Sequence, residues 1–104
     1  MDIHDFQVYC EKKKGSELCF PFGEEHMVFK VGGKMFALAR IVPFERINVK
    51  CDPDRALELR VMYPSIIPGW HMNKKHWNTI VLDGSLSDKS VYELIDHSYD
   101  LING

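Results

Sequence analysis

Several things are missing from this sequence, and each absence narrows what it can be. No apolar run approaches the ~18 residues that cross a bilayer, so no membrane segment and no membrane partner are expected. The opening residues, MDIHDFQVYC, hold no basic stretch leading into an apolar one, and no secretory leader is expected. Cysteines number three (Cys10, Cys19 and Cys51), an odd count without C-x-x-C spacing, which reads as buried, reduced thiols in a cytoplasmic protein. Repeats, low-complexity tracts and interdomain linkers are absent. So are G-x-S-x-G, H-E-x-x-H and phosphate-loop motifs, so the sequence is expected to be neither an enzyme nor the holder of a cofactor. Net charge of either sign is also slight. Lys and Arg total 13 against 15 Asp and Glu, leaving −2, which gives no global pull toward nucleic acid.

What remains is a chain of 104 residues, 45% hydrophobic and 27% charged, the balance of one soluble globular domain. Its charge is unevenly spread. Between His26 and Lys50 stand five basic residues (Lys30, Lys34, Arg40, Arg46, Lys50) and a single acid, Glu45; after Leu86 stand Asp88, Glu93, Asp96 and Asp100 with one base, Lys89. One part of the fold should therefore be positive and another negative, with ordinary solvation as the plainer account.

The periodicities predict an α+β domain. Residues 2–14 read as a helix with Asp2 as N-cap, Ile3, Phe6 and Cys10 at helical spacing, Lys12 to Lys14 in its last turn and Gly15 as terminator. SELCFPFGEE is irregular or a short edge strand, because Pro21 and Gly23 interrupt it. HMVFKV, Gly32-Gly33 and KMFALARI predict a tight hairpin, although KMFALARI is apolar in both registers and its faces stay open. In RINVKC, Ile47, Val49 and Cys51 alternate with Arg46, Asn48 and Lys50, the pattern of a sheet with one covered and one wetter face. Asp52-Pro53 opens a second helix that ends near Tyr63, before Pro64. A third follows Ser87, with Val91, Leu94, Ile95, Ser98 and Ile102 as its inner stripe. The expected fold is two-layered, a mainly antiparallel sheet with helices on one face, in the order α-β-β-β-α-β-β-α.

The densest chemistry lies in PGWHMNKKHWNTIVLDGS, residues 68–85. As a hairpin turning at Asn73-Lys74, or through a four-residue loop, it sets His71 against His76 and Trp70 against Trp77. Ile80 and Leu82 point at the core, so Trp77 falls on the more open face. Two opposed histidines lack a third ligand nearby, and no metal site is expected. Asp83-Gly84 reads as a turn. Trp77 with Lys74 and Lys75, extended by Arg46 and Lys50, has the aromatic-plus-basic make-up of a nucleic-acid surface. A hairpin anchored by its own tryptophans is the competing account.

GWHMNKKHWNTIVLDGSL and the later ELIDHSYDLI resemble the MmcQ/YjbR family of small bacterial proteins, as do FPFGEEHMVFKVGGKMFAL and INVKCDPDRALELR. The resemblance covers nearly the whole chain and is most specific around NKKHWNTIVLDGS. It implies a CyaY-like or secretion-chaperone-like α+β fold and a DNA-binding role through a double-wing motif. The matching motif positions are Asn73, Lys74, His76, Trp77, Asp83 and Gly84. Together these readings give a non-enzymatic module binding DNA or another nucleic acid through Asn73, Lys74, Lys75, His76, Trp77, Arg46 and Lys50. The alternative is a protein- or small-ligand-binding module using the same surface; no protein partner is specified.

Overall fold

A computed structural model describes residues 1–103. These form α1 (Ile3–Glu11), β1 (Glu17–Cys19), β2 (His26–Val31), β3 (Lys34–Arg40), β4 (Arg46–Lys50), α2 (Pro53–Met62), β5 (Ile66–Pro68), β6 (Trp77–Val81) and α3 (Asp88–Asn103). The strands make one antiparallel sheet in the order β1-β2-β3-β4-β6-β5. This is the expected α+β architecture, with SELC supplying only the short edge strand β1.

Local chemistry explains most boundaries. Asp2 and Asp5 cap α1 reciprocally: the Asp5 N–H donates to Asp2 Oδ1 at 2.8 Å and the Asp2 N–H to Asp5 Oδ2 at 3.0 Å. The helix stops earlier than its sequence predicts, with Lys12 as C-cap, so the lysine run does not occupy the last turn. Lys13 instead pairs with Asp96 of α3 and lies over the rings of Tyr9 and Tyr99, a strap between two helices. Asp52 caps α2 by accepting from the Arg55 N–H at 3.2 Å, and Pro53 takes the first helical position. Gly32 and Gly33, at φ +57° and +80°, form the β2–β3 turn, where both central residues need positive φ.

The helices cover one face. Phe6 and Cys10 of α1 and Val91, Leu94 and Ile95 of α3 pack against Phe29, Ala37, Ile47 and Ile80. Burial pushes the Cys10 and Cys51 thiols up, as fits inert core residues. The ambiguous KMFALARI has a structural reason. A register shift between Phe29 and Lys30 turns both Phe36 and Ala37 into the helix-side core, while Leu38 faces the other way beside Val28. Ser98 of α3, 0% exposed, meets this irregularity. Its hydroxyl donates to the Phe36 carbonyl at 2.5 Å and accepts the Lys50 N–H at 2.9 Å.

Ser98→Ala would leave two backbone groups without that partner, and we expect a loss of about 1–3 kcal/mol in denaturant unfolding; an unchanged midpoint would remove Ser98 from this role. A second expectation concerns pH. His97 Nε2 accepts the Asp52 N–H at 3.2 Å, which requires a neutral ring. Burial, then the Arg55 charge, holds its pKa below the ordinary 6.5. The unfolded chain thus binds the proton more readily. The contribution is present above pH ~6.5 and is lost as pH falls through the lowered folded value. His97→Gln should flatten the fall in stability on acidification below pH ~6.5, measured by unfolding at a series of pH values.

Candidate functional site

Side chains on the sheet face away from the helices come from His26, Val28 and Lys30 of β2, Leu38 and Arg40 of β3, Arg46, Asn48 and Lys50 of β4, and Trp77 and Thr79 of β6. Cross-strand pairs place His26 beside Arg40, Val28 beside Leu38, Leu38 beside Asn48, Asn48 beside Thr79 and Lys50 beside Trp77. The alternation of Arg46, Asn48 and Lys50 predicts this correctly.

The 68–77 segment does not pair as its sequence predicts. β5 and β6 align Ile66 with Ile80, Ile67 with Thr79 and Pro68 with Asn78. Gly69, not Trp70, therefore comes opposite Trp77, and its N–H donates to the Trp77 carbonyl at 2.9 Å. The reason is space: a Cβ at position 69 would lie 2.8 Å from Trp77 Cβ and 3.0 Å from Met72 Cβ. His71 and His76 are consequently not opposed. Among the described residues no group of three or more His, Cys, Asp or Glu could hold a metal ion.

Beyond Gly69 the chain turns onto the open face. The Trp70 N–H donates to Thr79 Oγ1 at 2.8 Å, and His71 adopts φ +57°, the only positive φ outside glycine among the described residues. Met72 packs with Val28, Leu38 and Trp77 in a small second core. Trp77 is on the predicted face but only 8% exposed, whereas Trp70 is 53% exposed. This corrects the stacking role read for Trp77. A ring sealed under its own loop cannot stack on a base; Trp77 is an anchor, and Trp70 is the available ring.

The other predicted residues divide. Asn73 is a loop cap: its Oδ1 accepts from the Lys75 and His76 N–H groups at 2.9 and 3.3 Å. The His76 carbonyl accepts the Cys51 N–H at 2.8 Å. From α2, Arg60 reaches Asn78 Oδ1 at 2.7 Å, the Trp77 carbonyl at 3.2 Å and the Lys74 carbonyl. Lys74 and Lys75 are exposed, with Lys74 Nζ 3.4 Å from the Gly69 carbonyl. Lys50 lies in a shallow hollow with Lys30, Lys34, Phe22 and the edge of Trp77. Arg46 is elsewhere, its guanidinium 5.0 Å from the centroid of the Trp70 ring. Asp83 and Gly84 form the predicted turn: Gly84 has φ +85° and Asp83 accepts the Ser85 N–H at 3.0 Å.

Arg46 and Trp70 border a cleft of about 380 Å³ lined also by His26, Arg40, Glu45, Asn48 and His71. Thr79 accepts from the Trp70 N–H and donates to Asn48 Oδ1 at 2.5 Å, which fixes the Asn48 amide. Arg40 and Arg46 have no ion-pair partner among the described residues. Sequence reasoning missed Arg40, Asn48 and Trp70 as one group, although the first two lie in strands it had identified.

The family model described as YjbR matches residues 11–101. This chain belongs to the YjbR family. Among its relatives, YbdF of Escherichia coli O157:H7 is 48% identical over 89 residues, which span 83% of this chain and 71% of that one. YjbR of Escherichia coli strain K12 is 35% identical over 100 residues, 95% of this chain and 85% of that one. A crystal structure of a Deinococcus radiodurans protein matches at TM-score 0.91 and 41% identity, over 98% of this chain and 78% of that one.

In this YjbR-family chain the two positions that shape the loop should respond differently to substitution. Gly69→Ala forces a methyl against Trp77 and should cost about 1–3 kcal/mol of stability. Trp70→Ala, on the surface, should stay within about 0.5 kcal/mol. Equal melting temperatures for wild type and Gly69→Ala would contradict the close approach.

Proposed function

We propose that this protein is a non-enzymatic, cytoplasmic module that binds nucleic acid, DNA foremost, across the open face of its sheet. The observation that carries this reading is the exposed Trp70 ring with the unpaired Arg46 guanidinium over it and Arg40 across the same cleft. Rings and guanidinium planes stack on bases, and free cations neutralise phosphates. Lys30 and Lys50 extend the positive face, and Lys74 and Lys75 stand on the adjoining loop. The acids Asp88, Glu93, Asp96 and Asp100 belong to α3, in the opposite layer. Of the acids, Glu45 alone lines the cleft. No helix of the described residues is long and apolar enough to cross a membrane.

Salt titration tests the proposal. Binding to a labelled DNA should weaken linearly on a log–log plot as salt rises, and Arg40→Ala and Arg46→Ala should each flatten the slope by about one unit. Lys75→Ala should do the same if the strand reaches the loop tip. Absence of salt-sensitive binding at micromolar protein would sink the reading and favour an apolar protein or small-molecule partner.

A further inference from the structure

The cleft beside Trp70 also specifies the form of nucleic acid; this step rests on the reading above. We infer that it takes one unstacked nucleotide, so that the protein prefers single strands to duplex. Three features converge. First, the three helices pack on the other side of the sheet, so none is presented to a major groove from this face. Second, the site is recessed. At about 380 Å³ it lies within the range of pockets that enclose small organic groups. A base held in a duplex cannot enter it without unpairing and unstacking, which a single strand largely avoids.

Third, the lining can recognise a nucleotide's parts. Arg46 lies over the Trp70 ring and the His71 ring packs T-shaped against it at 5.0 Å, and a base would stack on this half-exposed group. Because Asn48 Oδ1 is occupied by the Thr79 hydroxyl, the Asn48 amide can present its Nδ2 donors to a base. Glu45 lines the same cleft and is suited to accept from an exocyclic amine. Arg40, without an acidic partner among the described residues, is left for the phosphate. His71 at the lip is held at φ +57°, where a non-glycine backbone is sparsely populated, and the hydrogen bond from Trp70 to Thr79 immediately precedes it. The strained residue therefore lines the same cleft as Trp70 and touches its ring.

The experiment compares short labelled oligonucleotides of one sequence, single-stranded and duplex, by fluorescence anisotropy at low salt. Expected are about tenfold or greater preference for the single strand and a roughly ten- to hundredfold loss on Trp70→Ala confined to the single strand. Asn48→Ala should weaken single-strand binding in the same direction, and adenosine monophosphate in excess should displace the single strand. Duplex bound as tightly as single strand, or Trp70→Ala weakening both alike, would overturn the inference while leaving nucleic-acid binding intact. Salt-insensitive or absent binding to both forms would overturn the two together.

Discussion

Where Gly69 passes Trp77, the two backbones come so close that a side chain at position 69 would stand 2.8 Å from Trp77 Cβ. Much of the open face follows from that contact. With no side chain at 69, β5 and β6 close in a register that buries Trp77 and leaves the next residue, Trp70, to turn outward. A one-residue slip would exchange the faces of every side chain in the shorter strand. The same approach brings Met72 down over Trp77, so that Val28, Leu38, Met72 and Trp77 seal part of the face that the helices do not cover. What stays open are the cleft holding Trp70, Arg46 and Arg40 and the hollow around Lys30, Lys34 and Lys50.

Polar groups buried in the helical layer hold this arrangement from behind. Asn78, 2% exposed, points to the helix side, where its amide oxygen accepts from Arg60 of α2. The same guanidinium reaches the carbonyls of Trp77 and Lys74, so one side chain joins a helix, a strand and a loop. Asn78 is satisfied at its oxygen alone, since its Nδ2 is buried without a partner, so the arrangement is held by the bonds Arg60 makes rather than by a fully paired network. Ser98 does the equivalent for β3 and β4 with its single hydroxyl. The loop on one face is thus fixed partly by chemistry on the other.

This division explains what the sequence could disclose. The Gly32-Gly33 turn, the Asp52-Pro53 helix start and the α3 stripe are set by neighbours a few residues away, and each appears where local rules put it. The face of Trp77 was also readable, since Ile80 and Leu82 define the opposite one. Its exposure was not, because that depends on a loop folding across the sheet. Periodicity reports which side a residue faces and is silent about what lies over it. The hairpin register failed for a related reason: a two-residue turn at Asn73-Lys74 and the four-residue loop that turn preferences favour both set Trp70 against Trp77, but the steric demand at Gly69 is tertiary. The lysines after α1 were misplaced because Lys13 finds its acidic partner 83 positions away, in α3.

Solvation and binding make the same demand on the cations of the open face, so charge by itself does not choose between them. The sheet has other protection from self-association: its edge strands β1 and β5 are three residues each, and Pro68 ends β5. Lysines and arginines on the flat face would complete that protection with no ligand at all. Trp70 differs from the other exposed apolar side chains in how firmly it is held. An indole held half out of the protein forgoes the burial that its size would otherwise contribute, although a second core containing Trp77 lies a few residues away. Its backbone N–H is secured, its neighbour is held in an unusual conformation, and a guanidinium lies over its ring. A ring so fixed, with half of its surface in solvent and Arg46 and Arg40 at the same cleft, is the element of this face on which the proposed nucleic-acid contact rests.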